Sequence, residues 1–366
     1  MADAVRGSLE PAAYHASAWH ELESRHVFGA SWLCVGLTSD LANDGDYLTT
    51  DVGGRSVVVR RFRESLRAFE NVCSHRGSRI LAGPCGSGPL QCRYHGWTYD
   101  AAGCPVGLPG HRDDFGLSPA ERQDLALSPF PVEAIGPFVF VGPAHGGETL
   151  ATFLGAFHEP LARLGQTFTQ PPFHSLTDEW DANWKLGVEN TLEPLHAEFV
   201  HGDTLAQVVE RVCEIDIQGR HSSIFHALQR GSRQWWDRMI AASGLVPDPD
   251  HRDYRHLFVY PNLCLGITSG TLLSVQTFEP VRPARCRLRQ RLLLPVPRSE
   301  AGAAMRRTLQ DFLIGFNRQV LDEDRVPVES CQRGMSRLRR PVLLARSEAR
   351  VAAFQRSLFE QIPPQE

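Results

Sequence analysis

The sequence predicts an α+β protein in which a small all-β domain is followed by a larger domain of antiparallel strands and helices. Three features of the residue pattern lead to this prediction. Residues 31–143 alternate short β-rich runs with glycine turns, the clearest of them at 51–54. Residues 149–366 combine strand-like alternation with helical periodicity. The Gly-rich stretch 143–148 is typical of a linker between two domains.

The predicted elements follow in chain order. Residues 1–30 are expected to form a helical segment, with its helix over 8–30, that packs on the larger domain. In the all-β domain we expect strands near 31–37, within 45–72 and at 137–142. In the larger domain we expect helices over 149–165 and 180–200, and strands over 212–228, 257–267, 271–280 and 285–295.

The end of the chain predicts one strand with a charged face and two helices. Arginines occupy alternate positions of the strand 285–295, so they are expected to face solvent (Arg285, Arg287, Arg289, Arg291). From Ala303 apolar residues recur at helical spacing, and Pro327 is expected to disturb this helix just after Asp324. A terminal helix over 347–361 is expected to bury Val351, Phe354, Leu358 and Phe359.

Composition and charge exclude several classes of protein. Of the 366 residues, 42% are hydrophobic and 22% are charged, which is typical of a globular protein with a large core. The net charge of −4 disfavours nucleic-acid binding, and no apolar run is long enough to span a membrane. The first residues lack the apolar run of a signal peptide, so we expect a soluble, cytoplasmic protein. The sequence has nine cysteines, and the seven other than Cys73 and Cys92 show no spacing typical of a disulfide framework, which fits a reducing compartment.

Four candidate metal ligands lie in two short segments of the all-β domain. Cys73 and His75 belong to CSHRG, and Cys92 and His95 belong to CRYHGW, with sixteen residues between His75 and Cys92. Two thiolates and two imidazoles on paired loops suit a [2Fe–2S] cluster of the Rieske type, in which two Cys hold one iron and two His hold the other. Such a cluster delivers single electrons and does no substrate chemistry itself.

A tetrahedral zinc site is the alternative for these four residues, because zinc also binds two Cys and two His. Zinc fingers usually place both Cys on one arm and both His on the other, whereas each arm here carries one of each. The spacing therefore favours the iron–sulfur cluster. A zinc-containing binding module stays the alternative.

A second candidate metal site lies in residues 184–201, WKLGVENTLEPLHAEFVH. His196 and His201 are five positions apart, and Pro194 is expected to kink or restart the helix before them. Two His with one carboxylate form the facial triad of non-haem Fe(II) oxygenases, with open positions for O₂ and substrate. The third ligand must come from another part of the chain. A cluster on the same chain supports this site, because its electrons need an acceptor.

Together these segments resemble the oxygenase (alpha) subunit of Rieske non-haem iron oxygenases, along essentially the whole chain. The resemblance implies a Rieske [2Fe–2S] domain at 31–143 and a helix-grip catalytic domain with a mononuclear iron at 149–366. It implies His196 and His201 as iron ligands. It also implies an Asp of the late helix as third ligand, for which Asp324 is the first choice and Asp322 the alternative.

The resemblance also assigns a role to Glu193. In this family a carboxylate before the first His bridges two chains, because it contacts the iron-ligand His of its own subunit and the cluster His of the neighbour. Many members have Asp there, and this sequence has Glu193. Electrons are then expected to pass through His95 and Glu193 to His196. The resemblance thus implies a homotrimer, or a multiple of it.

We expect a terminal oxygenase of a multi-component system. The chain has no G-x-G-x-x-G loop, so electrons from NAD(P)H are expected to arrive through a separate reductase, with or without a ferredoxin. The chain length resembles the shorter members, and Glu193 resembles members acting on N-methylated substrates. Both favour O₂-dependent mono-oxygenation of a small organic substrate, by hydroxylation or oxidative N- or O-demethylation. Aromatic cis-dihydroxylation is the alternative reaction. A non-catalytic Rieske electron carrier is the alternative of another class.

Two further groups of residues have open interpretations. Five aromatic residues either line the substrate pocket or pack in the core (Trp235, Trp236, Tyr254, Phe258, Tyr260). Packing in the core is the favoured interpretation. Six arginines between 333 and 350 either form a solvated face, which is favoured, or dock an acidic reductase or ferredoxin (Arg333, Arg337, Arg339, Arg340, Arg346, Arg350).

Overall fold

The computed structural model describes residues 5–110, 114–144 and 146–363. The chain divides into two compact units, one of Ser24–Phe153 and one of the remaining residues on either side of it. The domain bounds predicted at residues 31, 143 and 149 lie near this division and stay predictions. None of the helices in the described ranges combines the length and the apolar character needed to cross a membrane.

The unit Ser24–Phe153 is built mainly from short strands. Before it, the chain forms strand β1 (Val5–Arg6) and helix α1 (Ser17–Leu22), so the helix expected over 8–30 is replaced by short helical pieces. The elements of the unit are β2 (Leu33–Leu37), β3 (Asp46–Val52), β4 (Arg55–Phe62), β5 (Ser65–Glu70), β6 (Cys85–Ser87), β7 (Thr98–Tyr99), β8 (Pro105–Gly107), α2 (Pro119–Asp124), β9 (Pro129–Phe130), β10 (Val132–Ile135) and β11 (Phe138–Val141).

Antiparallel sheets form the framework of this unit. One has the order β6-β3-β4-β5-β9, another has the order β10-β11-β2, and β7 pairs with β8. Residues 53–54 connect β3 to β4, as the glycine turn in the sequence predicted. The loops that carry Cys73 and Cys92 contribute to a core with Trp97 and Tyr99. The predicted cluster segments are therefore anchored in a hydrophobic core.

The second unit mixes helices with longer strands. Helix α3 (Leu150–Leu154) crosses the division between the units. The elements that follow are α4 (His158–Thr167), β12 (His174–Trp180), α5 (Trp184–Leu192), α6 (Ala197–Val200), β13 (Val209–Gln218), β14 (His221–Leu228), α7 (Arg230–Ser243), β15 (Tyr254–Val259), β16 (Leu263–Thr268), β17 (Leu272–Arg282), β18 (Arg285–Leu293), α8 (Ala303–Met335), β19 (Leu343–Leu344) and α9 (Ala349–Gln361).

A seven-stranded antiparallel sheet organises this unit, with the order β12-β18-β17-β16-β15-β14-β13. Helix α5 packs against β17 and against α8, and α8 also contacts α7. An antiparallel sheet covered by helices confirms the predicted α+β class. Two predicted strands were each too long, because 212–228 forms the hairpin β13–β14 with a turn at Gly219, and 257–267 falls in the hairpin β15–β16.

An ion pair buried in the second unit involves the only lysine of the sequence, Lys185. Its Nζ lies 2.5 Å from Oε1 of Glu23, and the two side chains are 0% and 2% exposed. Trp184 Nε1 donates to the other oxygen of Glu23, at 2.8 Å. The pair fixes the N-terminal stretch against α5, because burying either charge without its partner would be strongly unfavourable.

Helix α8 continues through Pro327, so the predicted disturbance after Asp324 is wrong. Proline removes one backbone donor, and a helix tolerates this loss only when other contacts offset it. Leu321, Asp324 and Val328 are buried on both sides of the proline, so packing holds the helix through this position. The continuous helix places Asp324 on its buried face and leaves Asp322 exposed.

The terminal helix and the arginine strand follow the predicted periodicity with one exception. In α9, Val351, Phe354 and Leu358 are buried, but Phe359 is 59% exposed, so its predicted burial is wrong. Residue 359 lies about 100° around the helix from Leu358, outside the apolar stripe. In β18 the residues between the arginines are buried, and Arg285, Arg287 and Arg289 form ion pairs, such as that of Arg289 with Glu279 at 2.7 Å.

Candidate metal centres

The segment around His196 is shaped by a break between two helices. Helix α5 ends at Leu192, Glu193 has an extended backbone (φ −117°, ψ 144°), and α6 begins at Ala197. The restart after Pro194 was predicted, because proline cannot supply a helical donor. His196 precedes the short helix α6 and His201 follows it. The break thus allows two histidines five positions apart to face the same point.

His196, His201 and Asp324 meet at that point. Oδ1 of Asp324 lies 3.0 Å from Nε2 of His201 and 3.5 Å from Nε2 of His196. One ligand atom from each residue lies within 4.8 Å of the other two. Asn190 Nδ2 also donates to Oδ1 of Asp324, at 2.7 Å, and holds the carboxylate in place. Two imidazole nitrogens with one carboxylate oxygen are the donor set of a facial iron site.

Two glutamates fix the outer nitrogens of the same histidines. Nδ1 of His196 lies 2.5 Å from Oε1 of Glu193, and Nδ1 of His201 lies 2.7 Å from Oε2 of Glu323. When each Nδ1–H donates to its glutamate, each Nε2 carries the lone pair that a metal requires. Sequence reasoning assigned no role to Glu323. Its position beside Asp324 gave no separate signal.

The charges of the site favour a cation among these side chains. Burial alone would lower the pKa of His196, but hydrogen bonds with Asp324 and Glu193 outweigh it and raise the pKa to about 9. Burial would raise the pKa of Asp324, yet its hydrogen bonds with His196 and His201 lower it overall. A divalent metal supplies the same positive charge when it replaces the protons on such ligands.

Asp322, the alternative third ligand, lies elsewhere. Its carboxylate pairs with Arg318 one turn earlier on α8, with Oδ1 3.0 Å from Nη2. The continuous helix turns Asp322 towards solvent while it turns Asp324 towards the two histidines. The geometry therefore favours Asp324.

The two loops of the other candidate centre have matching backbones. The carbonyl of Cys73 accepts from the N–H of Gly77 at 2.8 Å, and that of Cys92 accepts from Gly96 at 2.9 Å. Both glycines have a φ of +74°, a conformation that residues with a Cβ rarely adopt. Two similar tight turns thus present the two Cys–His pairs.

The side chains of these loops suit a binuclear centre. Cys73 and Cys92 are buried, His95 is exposed, and the ring centroids of His75 and His95 lie 4.7 Å apart. Nδ1 of His75 is buried without a hydrogen-bond partner, so it is available as a ligand atom. Tyr99 Oη lies 3.1 Å from Sγ of Cys73, where its O–H can donate to a thiolate.

A single tetrahedral zinc fits these loops less well. Its four ligands would lie within about 4 Å of one another, given metal–ligand bonds of 2.0–2.3 Å. Among the residues that the structure describes, His196, His201 and Asp324 are the one group of three such donors within 4.8 Å. No three of the four donors of the two loops meet this criterion, which favours a binuclear centre over a single zinc.

A cavity of about 170 Å³ adjoins the His196–His201–Asp324 group, and all three residues line it. Of the five aromatic residues considered from the sequence, Tyr254 lines the cavity. Trp235 and Trp236 contact each other in the core, and Phe258 and Tyr260 are buried under α9.

Arg350 departs most from its expected position. Its sequence neighbours Arg333, Arg337, Arg339, Arg340 and Arg346 are exposed, as a solvated face predicts. Arg350 instead is 1% exposed and lines the cavity, so its assignment to that face is wrong. The helical register of α9 turns it inwards together with Val351 and Phe354. The register of α9 could be predicted from the sequence, but Arg350 was assigned to the solvated face because its side chain is charged.

Comparisons with known protein families match both parts of the chain. The model of the ring hydroxylating alpha subunit (catalytic domain) matches residues 171–363, and the Rieske [2Fe-2S] domain model matches residues 31–127. The chain belongs to the family of Rieske-type ring-hydroxylating oxygenase alpha subunits. These domains imply a Rieske cluster and a mononuclear iron, and the donor sets described above fit both groups.

Individual relatives share about a third of their residues with this chain over the matched regions. The chain is 34% identical over 194 residues to the glycine betaine monooxygenase oxygenase subunit of Chromohalobacter salexigens, a match over 52% of this chain and 42% of that protein. It therefore spans less than half the length of this relative. It is 32% identical over 269 residues to the carnitine monooxygenase oxygenase subunit of Acinetobacter pittii, covering 73% and 70% of the two chains.

The fold also matches a solved structure. The quaternary ammonium Rieske monooxygenase CntA, in complex with L-carnitine, superposes with a TM-score of 0.79 over 99% of this chain and 97% of that chain. The sequence identity is 22%, so this likeness shows the fold.

Proposed function

We propose that this chain is a terminal oxygenase that mono-oxygenates a small organic substrate, by hydroxylation or by oxidative N- or O-demethylation. The observation that carries the proposal is the convergence of His196, His201 and Asp324 beside a cavity of about 170 Å³. An iron(II) held there would supply O₂ activation, because a facial triad leaves positions open for O₂ and substrate. The cavity supplies position and exclusion of water.

The remaining site residues have supporting roles in this proposal. Cys73, His75, Cys92 and His95 would hold the [2Fe–2S] cluster, which is supported by the matched turns and by the unpartnered Nδ1 of His75. Glu323 would orient His201 by accepting from its Nδ1–H.

Glu193 has two roles in the proposal. Within its own subunit it accepts from Nδ1 of His196, at 2.5 Å. In a homotrimer, or a multiple of it, the same carboxylate would accept a hydrogen bond from His95 of a neighbouring subunit and link the two centres. The exposure of His95 supports this role, because the ring can reach another chain.

A separate reductase, with or without a ferredoxin, would supply the electrons from NAD(P)H. The cytoplasmic location stays a prediction.

N-methylated compounds are the first substrates to test. The relatives with 34% and 32% identity act, by their names, on glycine betaine and on carnitine. Glu193 in the bridging position also favours this group. Aromatic cis-dihydroxylation is the competing reaction.

The product of a reconstituted reaction tests this function. The iron-loaded protein is incubated with a competent reductase, NADH, ¹⁸O₂ and glycine betaine, L-carnitine or γ-butyrobetaine. We expect formaldehyde with a demethylated amine, or a product with one ¹⁸O-labelled hydroxyl, and no product from His196→Ala. A cis-diol from an aromatic substrate, without mono-oxygenated product from any substrate, would overturn the proposal. Iron analysis should give about three irons and two labile sulfides per chain, with one iron lost in His196→Ala.

Mixed oligomers test the bridging role of Glu193. Glu193→Ala retains its own cluster, and His95→Ala lacks the cluster but retains Glu193 and the three iron ligands. Each variant alone should be inactive. Co-expressed chains should recover part of the activity, because the iron of a His95→Ala subunit can receive electrons from a neighbouring cluster. If electrons stayed within one subunit, no mixture would be active.

A further inference from the structure

Arg350 is a buried cation with an unused donor. It is 1% exposed and lines the cavity beside Asp324. Its Nε donates to Oγ of Ser222 at 3.0 Å, and its Nη2 donates to Nδ1 of His256 at 2.9 Å. Its Nη1 is buried without a hydrogen-bond partner. Leaving a donor of a charged group unsatisfied away from water is costly, so such a donor requires an explanation.

His256 offers a second unused donor next to it. The ring is 7% exposed, lies on β15 and lines the same cavity. Burial and the charge of Arg350 lower the pKa of His256 well below its usual value, so the ring is neutral. Because Nδ1 accepts from Arg350, the single proton of the neutral ring lies on Nε2. Nε2 is also buried without a partner.

The sheet and α9 hold these two groups together. His256 pairs with Ile224 across β14 and β15, and Ser222 lies two residues from Ile224 on the same face of the sheet. Arg350, near the start of α9, reaches both Ser222 and His256 from above this face. The two free donors are therefore set by hydrogen bonds on regular elements, as in a preorganised binding site.

The charge of Arg350 is not balanced by an acid of the protein. Within the described part of the chain, no carboxylate comes within ion-pair distance of its guanidinium. The carboxylates that line the cavity, Glu193 and Asp324, instead hydrogen-bond to His196 and His201. Burial lowers the pKa of Arg350 to about 10, which still leaves it charged at neutral pH. An isolated buried charge is unfavourable unless an opposite charge joins it.

We propose that Arg350 and His256 form a subsite that binds the carboxylate group of the substrate. This inference rests on the proposed function and narrows its substrate class to small molecules that carry a carboxylate. Nη1–H and Nε2–H would each donate to one carboxylate oxygen, and the guanidinium would balance the charge. One guanidinium matches a single negative charge. Anchoring at this end would direct the rest of a small substrate towards His196, His201 and Asp324 in the same cavity.

Binding of matched ligand pairs tests the subsite without turnover. Calorimetry with the full-length, metal-loaded protein compares γ-butyrobetaine with its methyl ester, and benzoate with benzamide. We expect the carboxylate of at least one pair to bind ten or more times tighter than its neutral partner. In Arg350→Met this preference should fall to less than twofold. Arg346→Met, a matched change at an exposed arginine four residues earlier, should keep the wild-type preference.

Three results would overturn the subsite: equal binding within both pairs, a preference that survives in Arg350→Met, or no measurable binding of either carboxylate. Arg350→Lys guards against misfolding of the methionine variant, because it keeps the charge and loses the fork of donors. We expect Arg350→Lys to retain the wild-type melting temperature and to bind the preferred carboxylate about tenfold more weakly. A sulfonate analogue that binds like the carboxylate would widen the ligand class to monoanions and contradict the carboxylate assignment.

The carboxylate subsite and the proposed oxygenase function can be disproved independently of each other. Binding requires neither O₂ nor reductase, so a preference for carboxylates stands whatever product is formed. A mono-oxygenated product from a neutral substrate, with equal affinity for both partners of each pair, would leave the oxygenase assignment intact and remove the subsite.

Discussion

Glu323 accepts a hydrogen bond from Nδ1 of His201, at 2.7 Å. This contact orients the imidazole towards Asp324, which follows Glu323 on helix α8. Thr204 donates from its Oγ1 to the same carboxylate oxygen, Oε2 of Glu323, at 2.6 Å. One turn of α8 thus supplies both an iron-ligand candidate and the group that orients its histidine partner. This arrangement has a direct consequence for metal affinity.

Glu323→Ala should weaken iron binding at this site by about 10- to 100-fold, the usual effect of removing the partner of a metal-bound histidine. The imidazole then loses its fixed orientation and tautomer. Competition with a chelator, followed by iron analysis, measures the change. Asp322→Asn is the matched control, because Asp322 pairs only with Arg318 among the described contacts. Equal iron affinity in Glu323→Ala and wild type would contradict the role of Glu323.

Tyr99→Phe should lower the reduction potential of the cluster by roughly 20–60 mV. The hydroxyl lies 3.1 Å from Sγ of Cys73, and a hydrogen bond to a cluster sulfur stabilises the more negative reduced form. The range corresponds to about 0.5–1.5 kcal/mol for one hydrogen bond and one electron. A potentiometric titration followed by EPR measures it. Tyr94→Phe removes an exposed hydroxyl from a ring that contacts His95, and its potential should stay at the wild-type value.

Lys185→Met should destabilise the protein by about 3–5 kcal/mol, because it leaves the carboxylate of Glu23 buried without its partner. The double variant Lys185→Met with Glu23→Gln should recover part of this loss, since the uncompensated charge is removed. Denaturant unfolding of the wild type, both single variants and the double variant measures the coupling. Additive losses, without recovery in the double variant, would show that the two charges do not depend on each other.

Glu189 should make the protein less stable as the pH rises from about 4.5 to 7. Burial raises the pKa of Glu189 to about 7, against the opposing hydrogen bonds from Tyr14 and Gln355. Between these pH values the carboxyl of Glu189 holds a proton in the folded state that it has lost in the unfolded state. The contribution of Glu189 to the free energy of unfolding is therefore complete below pH 4.5 and disappears above pH 7. The effect is at most about 3 kcal/mol. Melting temperatures across this range should fall less for Glu189→Gln than for wild type. Parallel curves would contradict the shift.

Local patterns account for what could be predicted from the sequence. Cys73, His75, Cys92 and His95 stand in two short segments, so their residue types and spacing alone indicated their chemistry. The break before His196 was predictable because Pro194 acts on its own backbone. The α+β class followed from alternation and helical periodicity, and the structure confirms it.

Tertiary contacts account for what the sequence did not reveal. Glu323 reaches His201 only because α8 packs beside the broken helix, 122 positions later in the chain. Pro327 was expected to disturb α8, but burial of Leu321 and Val328 holds the helix together. Arg350 was counted with its exposed neighbours because composition does not distinguish a buried arginine from a solvated one. Its partners, Ser222 and His256, lie on strands far away in the sequence.

The burial of Lys185 determines how the protein responds to amine-directed chemistry. It is the only lysine in the sequence, and its side chain is 0% exposed. Acylating reagents and lysine cross-linkers therefore find no reactive side-chain amine on the folded chain, although arginines cover its surface. Acylation at Lys185 would occur only when the chain opens around Glu23, so the labelling rate of this one residue would report unfolding.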